Sequence, residues 1–170
     1  IVIGYLCHRY NKGSERKCVI LMDRLDDEDL IGTSSGGTGK SILVKCLFNI
    51  LNGVEIDGKA FKKNSIDRFA LAQVTEAHEV VNFDDSAENF DFERIYPHIT
   101  GDFHIRRIGE NPISIPFDRA PKIVISTNRP LGNSDFSTRR RQFLVELSPY
   151  YRQLLESEGK TPADVHGGME

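Results

Sequence analysis

The sequence predicts an α/β fold in which a mostly parallel central sheet is flanked by helices. Three observations lead to this prediction. Short apolar runs of strand length recur along the chain, a glycine-rich segment joins the first of them to an amphipathic helix, and two alternating runs around a turn indicate an inserted β-hairpin. Continuous apolar runs of this length are typical of strands buried on both faces of a parallel sheet.

The first strand and the first long helix lie on either side of the glycine-rich segment. Residues 17–23 form a short apolar run between Lys17 and a terminal acid, Asp23, and an acidic stretch follows them. From Lys40 to Asn52 the apolar residues recur every three or four positions, which predicts a helix that ends before Gly53. The local order is therefore strand, glycine loop, helix.

The remaining elements follow from the same patterns. Further core strands are predicted at residues 79–83, 122–128 and 142–147. A helix interrupted at Pro97 is expected over 86–97, and a hairpin is expected from 103–108 and 113–117 around a Gly-Glu-Asn-Pro turn. The tail from about 148 is expected to be a short helix with a weakly structured, frayed end.

Length and composition restrict the function. The 170 residues suit one domain, 1–170, and are too few for a polymerase or a multidomain enzyme. The net charge of -3 does not by itself indicate nucleic-acid binding, and no apolar run is long enough to span a membrane. Three cysteines in unrelated contexts favour neither a disulfide framework nor a zinc site and suggest an intracellular location. The absence of an initiator Met suggests a fragment of a longer protein.

The glycine-rich segment predicts a phosphate-binding loop. Backbone amides can surround a polyphosphate where glycines precede a helix, and a following Lys-Ser pair adds an ammonium and a magnesium-binding hydroxyl. The residues expected to bind MgATP are Ser35, Gly36, Gly37, Thr38, Gly39, Lys40 and Ser41. The strict motif has Gly at position 34, where this chain has Ser34. The alternative is a glycine-rich turn with an exposed Lys.

A pair of acids and an amide are expected to complete this site. We assign Asp84 to the metal and Asp85 to activation of the attacking water, and leave their order open. The alternative is a helix N-cap pair ahead of Ser86. Asn128 follows a core strand and is expected to hydrogen-bond the γ-phosphate or the water beside it, or else to be a turn residue.

Taken in order, these motifs resemble those of the superfamily 3 helicases, most closely the poxvirus and phage primase-helicases. The resemblance rests on residues 34–41, the acids at 84–85, the segment 100–102 with the hairpin, and the strand that ends at Asn128. It implies an AAA+-type P-loop NTPase core, a three-layer sandwich that assembles as a homo-oligomeric ring, usually a hexamer. The chain departs from the family between 24 and 33, where either 30–32 forms the preceding strand or the whole stretch is an inserted loop.

The resemblance also assigns basic residues to two roles. The hairpin looks like the family's central-channel hairpin, so His104, Arg106 and Arg107, with Lys122, would grip phosphates of single-stranded DNA. One arginine of 139–141 would reach the γ-phosphate of a neighbouring subunit, with Arg141 fitting the spacing best and Arg140 next. The alternatives are a solvated strand face for the hairpin, and a basic surface run or second nucleic-acid patch for the arginines.

The function expected from these features is MgATP hydrolysis that drives translocation on single-stranded DNA and duplex unwinding during replication of a virus, phage or mobile element. One alternative is a nucleotide-dependent switch or packaging-type NTPase that acts on a protein partner without unwinding. Another is a small-molecule kinase, which would leave the acid pair, Asn128 and the arginines without roles.

Overall fold

The structure of the protein is a computed structural model that describes residues 1–13, 15–24, 37–63, 67–86, 89–128 and 135–168. The strands in these ranges are β1 Cys18–Asp23, β2 Gly53–Asp57, β3 Val80–Ser86, β4 Phe103–Ile105, β5 Ile113–Ile115, β6 Lys122–Thr127 and β7 Gln142–Leu147. The helices are α1 Val2–Leu6, α2 Lys40–Phe48, α3 Tyr96–Thr100, α4 Phe136–Arg140, α5 Tyr150–Glu158 and α6 Pro162–Val165. Short 3-10 helices lie at Gly58–Phe61 and Phe92–Ile95.

The central sheet contains five parallel strands in the order β2-β3-β6-β1-β7, and β4 pairs with β5 as a separate antiparallel hairpin. This arrangement confirms the predicted α/β class, the mostly parallel sheet and the inserted hairpin. Strands β1 and β6 are buried along their whole length, as their continuous apolar runs predict.

Side chains that alternate along the strands form a core on each face of the sheet. On one face, Ile20, Phe83 and Ile125 pack with residues of the 3-10 helices, α3 and the hairpin. On the other face, Leu21 and Val124 belong to a second cluster that includes residues of α1 and α2. The sheet is thus covered on both sides, and the open edge at the carboxyl ends of its strands is left for the site.

Strand β2 is the strand that the sequence prediction missed, and the sequence patterns did not predict helices α1 and α4 either. Helix α2 ends at Phe48 instead of Asn52, and Gly53 begins β2 a few residues later. A Cβ on Gly53 would lie 2.1 Å from Cδ1 of Phe48, so only glycine allows this close return of the chain. Only Ile56 of β2 is buried, because β2 is an edge strand, and an apolar run is therefore absent.

The helix expected over 86–97 is wrong at both ends. Ser86 is the last residue of β3, and its carbonyl accepts a hydrogen bond from Thr127 Oγ1 at 3.0 Å. Pro97 lies in the first turn of α3, where its missing N–H costs no helical hydrogen bond. The expected interruption is therefore a helix start.

The other expected elements are present. Core strands 79–83, 122–128 and 142–147 correspond to β3, β6 and β7, and α5 is the short helix expected in the tail. A second short helix, α6, lies where a frayed end was expected, and neither α5 nor α6 contributes a buried residue. The alternative strand at 30–32 lies outside the described residues. None of the helices that the structure describes is long and apolar enough to cross a membrane.

Candidate nucleotide site and hairpin surface

A cavity of about 460 Å³ opens at the carboxyl edge of the sheet. It is lined by Gly37, Gly39, Lys40, Ser41, Ile42, Asp84, Asp85, Ser126 and Asn128. Ligands of open α/β sheets bind at this edge, where helix N-termini and strand ends converge. The structure thus brings together the loop, the acid pair and the amide that the sequence singled out, whereas Ser35 and Gly36 lie outside the described residues.

The glycines of the loop adopt a backbone conformation that suits an anion. Gly37 and Gly39 have φ angles of 93° and 95°, in the left-handed region where a side chain would be strained. Gly39 is the N-cap of the nine-residue helix α2, and it offers no side chain to cap the first turn. The amides of this turn, with the positive end of the helix dipole, therefore face the cavity.

Asp23 holds the side chain of Lys40. The Lys40 ammonium donates to Asp23 Oδ1, Thr38 Oγ1 donates to the same oxygen, and the Lys40 ammonium lies 3.4 Å from Thr38 Oγ1. The Lys40 and Asp23 side chains are only 8% and 4% exposed. The second oxygen of Asp23, Oδ2, is buried and has no hydrogen-bond partner among the described residues.

The acid pair lies at the end of β3 and not at a helix N-terminus, so the N-cap alternative is wrong. Asp84 pairs in register with Asp57, and the pairing of β3 with β6 then shifts between Phe83 and Ser86. Asp85 sits in this irregularity with φ 48°, an uncommon value for a residue with a side chain. Asp84 is half-buried, whereas Asp85 is exposed and forms an ion pair with Lys59.

A buried amide supports the neighbouring strand. Asn82 of β3 is fully buried, and its Oδ1 accepts a hydrogen bond from Ser126 Oγ at 3.1 Å. Its Nδ2 lies 3.5 Å from Glu55 Oε2. The hydrogen bond between Asn82 and Ser126 ties β3 to β6 and fixes Ser126 in the cavity wall, two residues before Asn128.

The donor set fits MgATP. The described residues contain no cluster of three His, Cys, Asp or Glu side chains that could enclose a metal. Magnesium in phosphate-binding sites needs only one or two protein ligands, because phosphates and waters supply the others. The Ser41 hydroxyl and the Asp84 carboxylate line the same cavity and meet that requirement. Amides and the Lys40 ammonium are suitable donors for the phosphates.

Sequence reasoning missed three residues of this site: Asp23, Asn82 and Ser126. A signal was available for Asp23, because it follows the apolar run of β1 as Asp84 follows that of β3. Asn82 interrupts an otherwise apolar strand, and a polar residue at such a position needs a buried partner. Which partner it has depends on the strand order, and the sequence does not give that order.

The basic residues assigned to the hairpin divide into two groups. His104 and Arg106 are exposed, and both line a cavity of about 260 Å³ beside the hairpin, together with Arg68 and Arg94. Arg107 is instead held by the chain, since its Nε and Nη2 donate to the carbonyls of Ala72 and Val74 at 2.8 and 3.0 Å.

Lys122 is not available for nucleic acid. It is the first residue of β6 and only 2% exposed, and its ammonium donates to the Tyr10 carbonyl at 2.8 Å above the ring of Tyr5. Burial, with a smaller effect of Arg16, lowers the Lys122 pKa to about 8. The expectation that Lys122 grips phosphate is therefore corrected, because its side chain points into the structure.

His98 lies beside the hairpin. Its Nδ1 accepts a hydrogen bond from the His104 backbone N–H at 3.3 Å, and its ring lies 4.7 Å from that of Phe103. Burial, then the charges of His104 and Arg16, lowers the His98 pKa to about 4. His98 is therefore neutral at neutral pH and acts as an acceptor.

The arginine triplet spans the end of α4 and the residue before β7. Arg139 and Arg140 are exposed. Arg141 turns inward, where its guanidinium lies 4.6 Å above the Tyr96 ring and its Nη1 donates to the Ser137 carbonyl at 2.9 Å. The structure thus reverses the order of preference given by spacing, since the Arg141 side chain is held within its own chain.

Comparison with known structures shows the fold. No protein-family model matches this sequence, and no protein of curated function does. The chain superposes on the crystal structure of a JCV helicase with a bound acetamide compound at a TM-score of 0.59 and 15% identity, over 91% of this chain and 43% of that one. It also superposes on two structures of the NrS-1 C-terminal region, at TM-scores of 0.58 and 0.55 and identities of 19% and 16%. Those matches cover 98% of this chain and 36% and 37% of the neighbours. The chain therefore has a helicase-like fold and spans less than half the length of these neighbours.

Proposed function

We propose that this chain is an ATP-hydrolysing motor domain of a DNA helicase, of the superfamily 3 type. One observation carries the proposal: a single cavity at the carboxyl edge of the sheet gathers the glycine loop, Lys40, Ser41, Asp84, Asp85 and Asn128. A Gly-rich turn with an exposed lysine would not place paired carboxylates and an amide opposite that lysine. The helicase-like fold supports the same proposal.

Each polar residue of the cavity has a role that its position supports. The amides around Gly37 and Gly39 bind the phosphates, and Lys40 balances their charge. Asp84, the more buried acid, would hold the magnesium ion, and Asp85 would orient the attacking water. Magnesium, when bound, neutralises charge that develops on the phosphates. Asn128, directly after β6, donates from its amide to the γ-phosphate or the water.

DNA translocation and ring assembly follow from the resemblance and from two exposed groups. His104 and Arg106 present positive charge beside the hairpin, which suits sequence-independent binding of a phosphate backbone. Arg140 is the arginine that we propose to act on the nucleotide of the next subunit, because it is exposed whereas Arg141 is not. The partners proposed are therefore single-stranded DNA and further copies of the chain in a ring.

A comparison of two lysines on one helix tests the proposal. Lys40 begins α2 and lines the cavity, whereas Lys45 is exposed on the same helix and does not line it. Lys40→Ala should abolish ATP turnover and Lys45→Ala should leave it unchanged, with circular dichroism to check that both variants are folded. Full turnover in Lys40→Ala would reject the nucleotide site.

A further inference from the structure

A third cavity, of about 370 Å³, lies near the amino ends of strands β1 and β7. It is lined by Gly13, Arg16, Thr100, Arg140 and Arg141. Arg16 precedes β1 and Arg141 precedes β7, and the amide of Cys18 donates to the Arg141 carbonyl at 2.7 Å. Because the strands are parallel, this cavity and the nucleotide cavity open at opposite edges of the sheet. Its volume is within the range of small-ligand sites.

Arg16 is fixed in this cavity and lacks a full set of partners. The residue is 3% exposed, its Nη2 donates to the Pro121 carbonyl, and its guanidinium lies 5.1 Å from the centre of the Phe117 ring. Its Nη1 is buried and has no hydrogen-bond partner among the residues that the structure describes. A buried guanidinium N–H without an acceptor is unfavourable unless a ligand or water supplies one.

Arg141 repeats this arrangement on the other side of the cavity. Its Nη1 donates to Ser137 Oγ at 2.5 Å as well as to the Ser137 carbonyl, and the Tyr96 ring supports its plane. Its Nε is buried and, within the described part of the chain, has no acceptor. Two guanidinium groups are thus held in place, and each has one buried nitrogen without an acceptor among the described residues.

The residues that line the cavity carry positive charge alone. Three of the five lining residues are arginines, and none of the five is acidic. An acid that interacts with them is Asp135, whose pKa is lowered by its hydrogen bonds to Thr138 and, to a smaller degree, by the Arg141 charge. Burial lowers the Arg16 pKa to about 10, and the Arg16 charge contributes to the lowered pKa values of Lys122 and His98. A buried cation such as Arg16 is unfavourable without an anion.

We propose that this cavity binds a phosphoryl group, with Arg16 Nη1 and Arg141 Nε as buried donors. Guanidinium groups match the oxygens of a phosphoryl group in geometry and in charge. The proposal is independent of the nucleotide site, which lies at the other edge of the sheet. The phosphoryl group belongs either to a small phosphate compound or to a phosphodiester backbone, and the experiment separates these sources.

The direct test observes the Nε–H resonance of Arg141 in protein labelled with ¹⁵N-arginine. Lys40→Ala protein is used so that phosphate bound at the glycine loop does not dominate, and Arg141→Lys identifies the resonance. Titration with sodium phosphate should move the resonance to saturation, whereas sodium chloride at equal ionic strength should not. An Nε–H resonance that ignores phosphate, or that responds equally to chloride, overturns the proposal.

Variants then test the role of each arginine. Arg141→Lys keeps the charge and loses the buried Nε–H, so phosphate affinity measured by calorimetry should fall roughly tenfold or more. Arg139→Gln is the matched control, because Arg139 is an exposed arginine two residues before Arg141 and does not line the cavity. Equal affinities in both variants, each folded by circular dichroism, would reject the site.

Competition identifies the source of the phosphoryl group. Oligothymidylate is added to the phosphate-saturated Lys40→Ala protein, and the Arg141 Nε–H resonance is followed. Displacement of phosphate assigns the site to a nucleic-acid backbone. Persistence of the phosphate-bound resonance assigns it to a small phosphate compound. Each result supports a phosphoryl site and names its ligand class.

Discussion

The ammonium of Lys40 and the carboxylate of Asp23 form a buried ion pair between the glycine loop and the end of β1. In the proposed function, the phosphates of ATP need the same ammonium. Asp23 therefore competes with the nucleotide for Lys40, and the loop hydroxyl of Thr38 donates to the same carboxylate. In that function Asp23 would therefore determine how readily the site accepts a nucleotide.

Asp23→Asn should raise ATP affinity several-fold, because the substitution removes a buried negative charge that opposes the phosphates. It should also lower the free energy of unfolding without nucleotide by about 3 kcal/mol, since the Lys40 ammonium loses its counter-charge. A fluorescent ATP analogue and urea denaturation measure the two effects. Asp57→Asn is the control, because Asp57 ends the neighbouring strand β2 and does not line the cavity. Weaker ATP binding in Asp23→Asn would show that Asp23 assists binding instead of competing.

Asp84→Asn and Asp85→Asn should each reduce ATP turnover about 100-fold or more and leave nucleotide binding largely intact. Both carboxylates line the cavity, and neither is needed for the amides of the loop to hold the phosphates. Single-turnover hydrolysis separates the chemical step from binding. Asp118→Asn, an exposed acid outside the cavity, is the matched control. If both acid variants retain normal turnover, the catalytic assignment of the pair fails.

The sequence predicts the parts of the fold that depend on local composition. The apolar runs of β1, β3 and β6 indicate buried strands, and glycines before Lys40 indicate the loop. Strand β2 escapes prediction because an edge strand needs little apolar surface.

Among the site residues, too, some positions follow from local sequence and others depend on tertiary contacts. Lys122 looks like a surface cation until the fold brings the Tyr10 carbonyl and the Tyr5 ring to it across more than 100 residues of sequence. Arg107 and Arg141 are likewise held by carbonyl groups, which carry no sequence signal. Side-chain chemistry at strand ends can therefore be read from sequence, whereas the partner of a given arginine or lysine depends on tertiary packing.

Arg106→Ala should weaken binding of single-stranded DNA and lower the salt dependence by about one counterion, because Arg106 is an exposed cation beside the hairpin. Arg107→Ala should instead destabilise the fold by about 1–3 kcal/mol, since two carbonyls lose a charged donor. Fluorescence anisotropy at several salt concentrations and urea denaturation measure these effects. Arg119→Ala is the control for charge alone, because Arg119 is exposed and does not line the cavity beside the hairpin. An unchanged salt slope in Arg106→Ala would favour the alternative of a switch or packaging-type NTPase.

Arg140→Ala should bind ATP normally and hydrolyse it at least about 1000-fold more slowly in assembled rings, because the proposed role of Arg140 is at the neighbouring subunit's phosphate. Mixing gives a sharper measurement. Subunits with Arg140→Ala keep an intact loop, and subunits with Lys40→Ala keep Arg140, so a mixed ring should recover part of the turnover. Two inactive proteins that stay inactive when mixed, although they co-assemble, would place the arginine's action within its own subunit.

His98→Asn should remove part of the acid sensitivity of the fold. The folded His98 has a pKa of about 4 against an ordinary value of 6.5, so the neutral ring is the form that the fold stabilises. Its contribution is complete above pH 6.5 and declines as the pH falls from 6.5 towards 4, because the unfolded chain takes up a proton that the folded protein excludes. The loss over this window should be on the order of 1–3 kcal/mol.

Urea denaturation at a series of pH values measures this loss in both proteins. Asparagine keeps an oxygen near the position of Nδ1 to accept from the His104 amide, and it does not titrate, so the variant should be less sensitive to acid by that amount. The carboxylates contribute equally to both proteins and cancel in the difference. Identical pH profiles would mean that the His98 pKa is the same in the folded and the unfolded protein, so that neither burial nor the charges of His104 and Arg16 oppose its protonation.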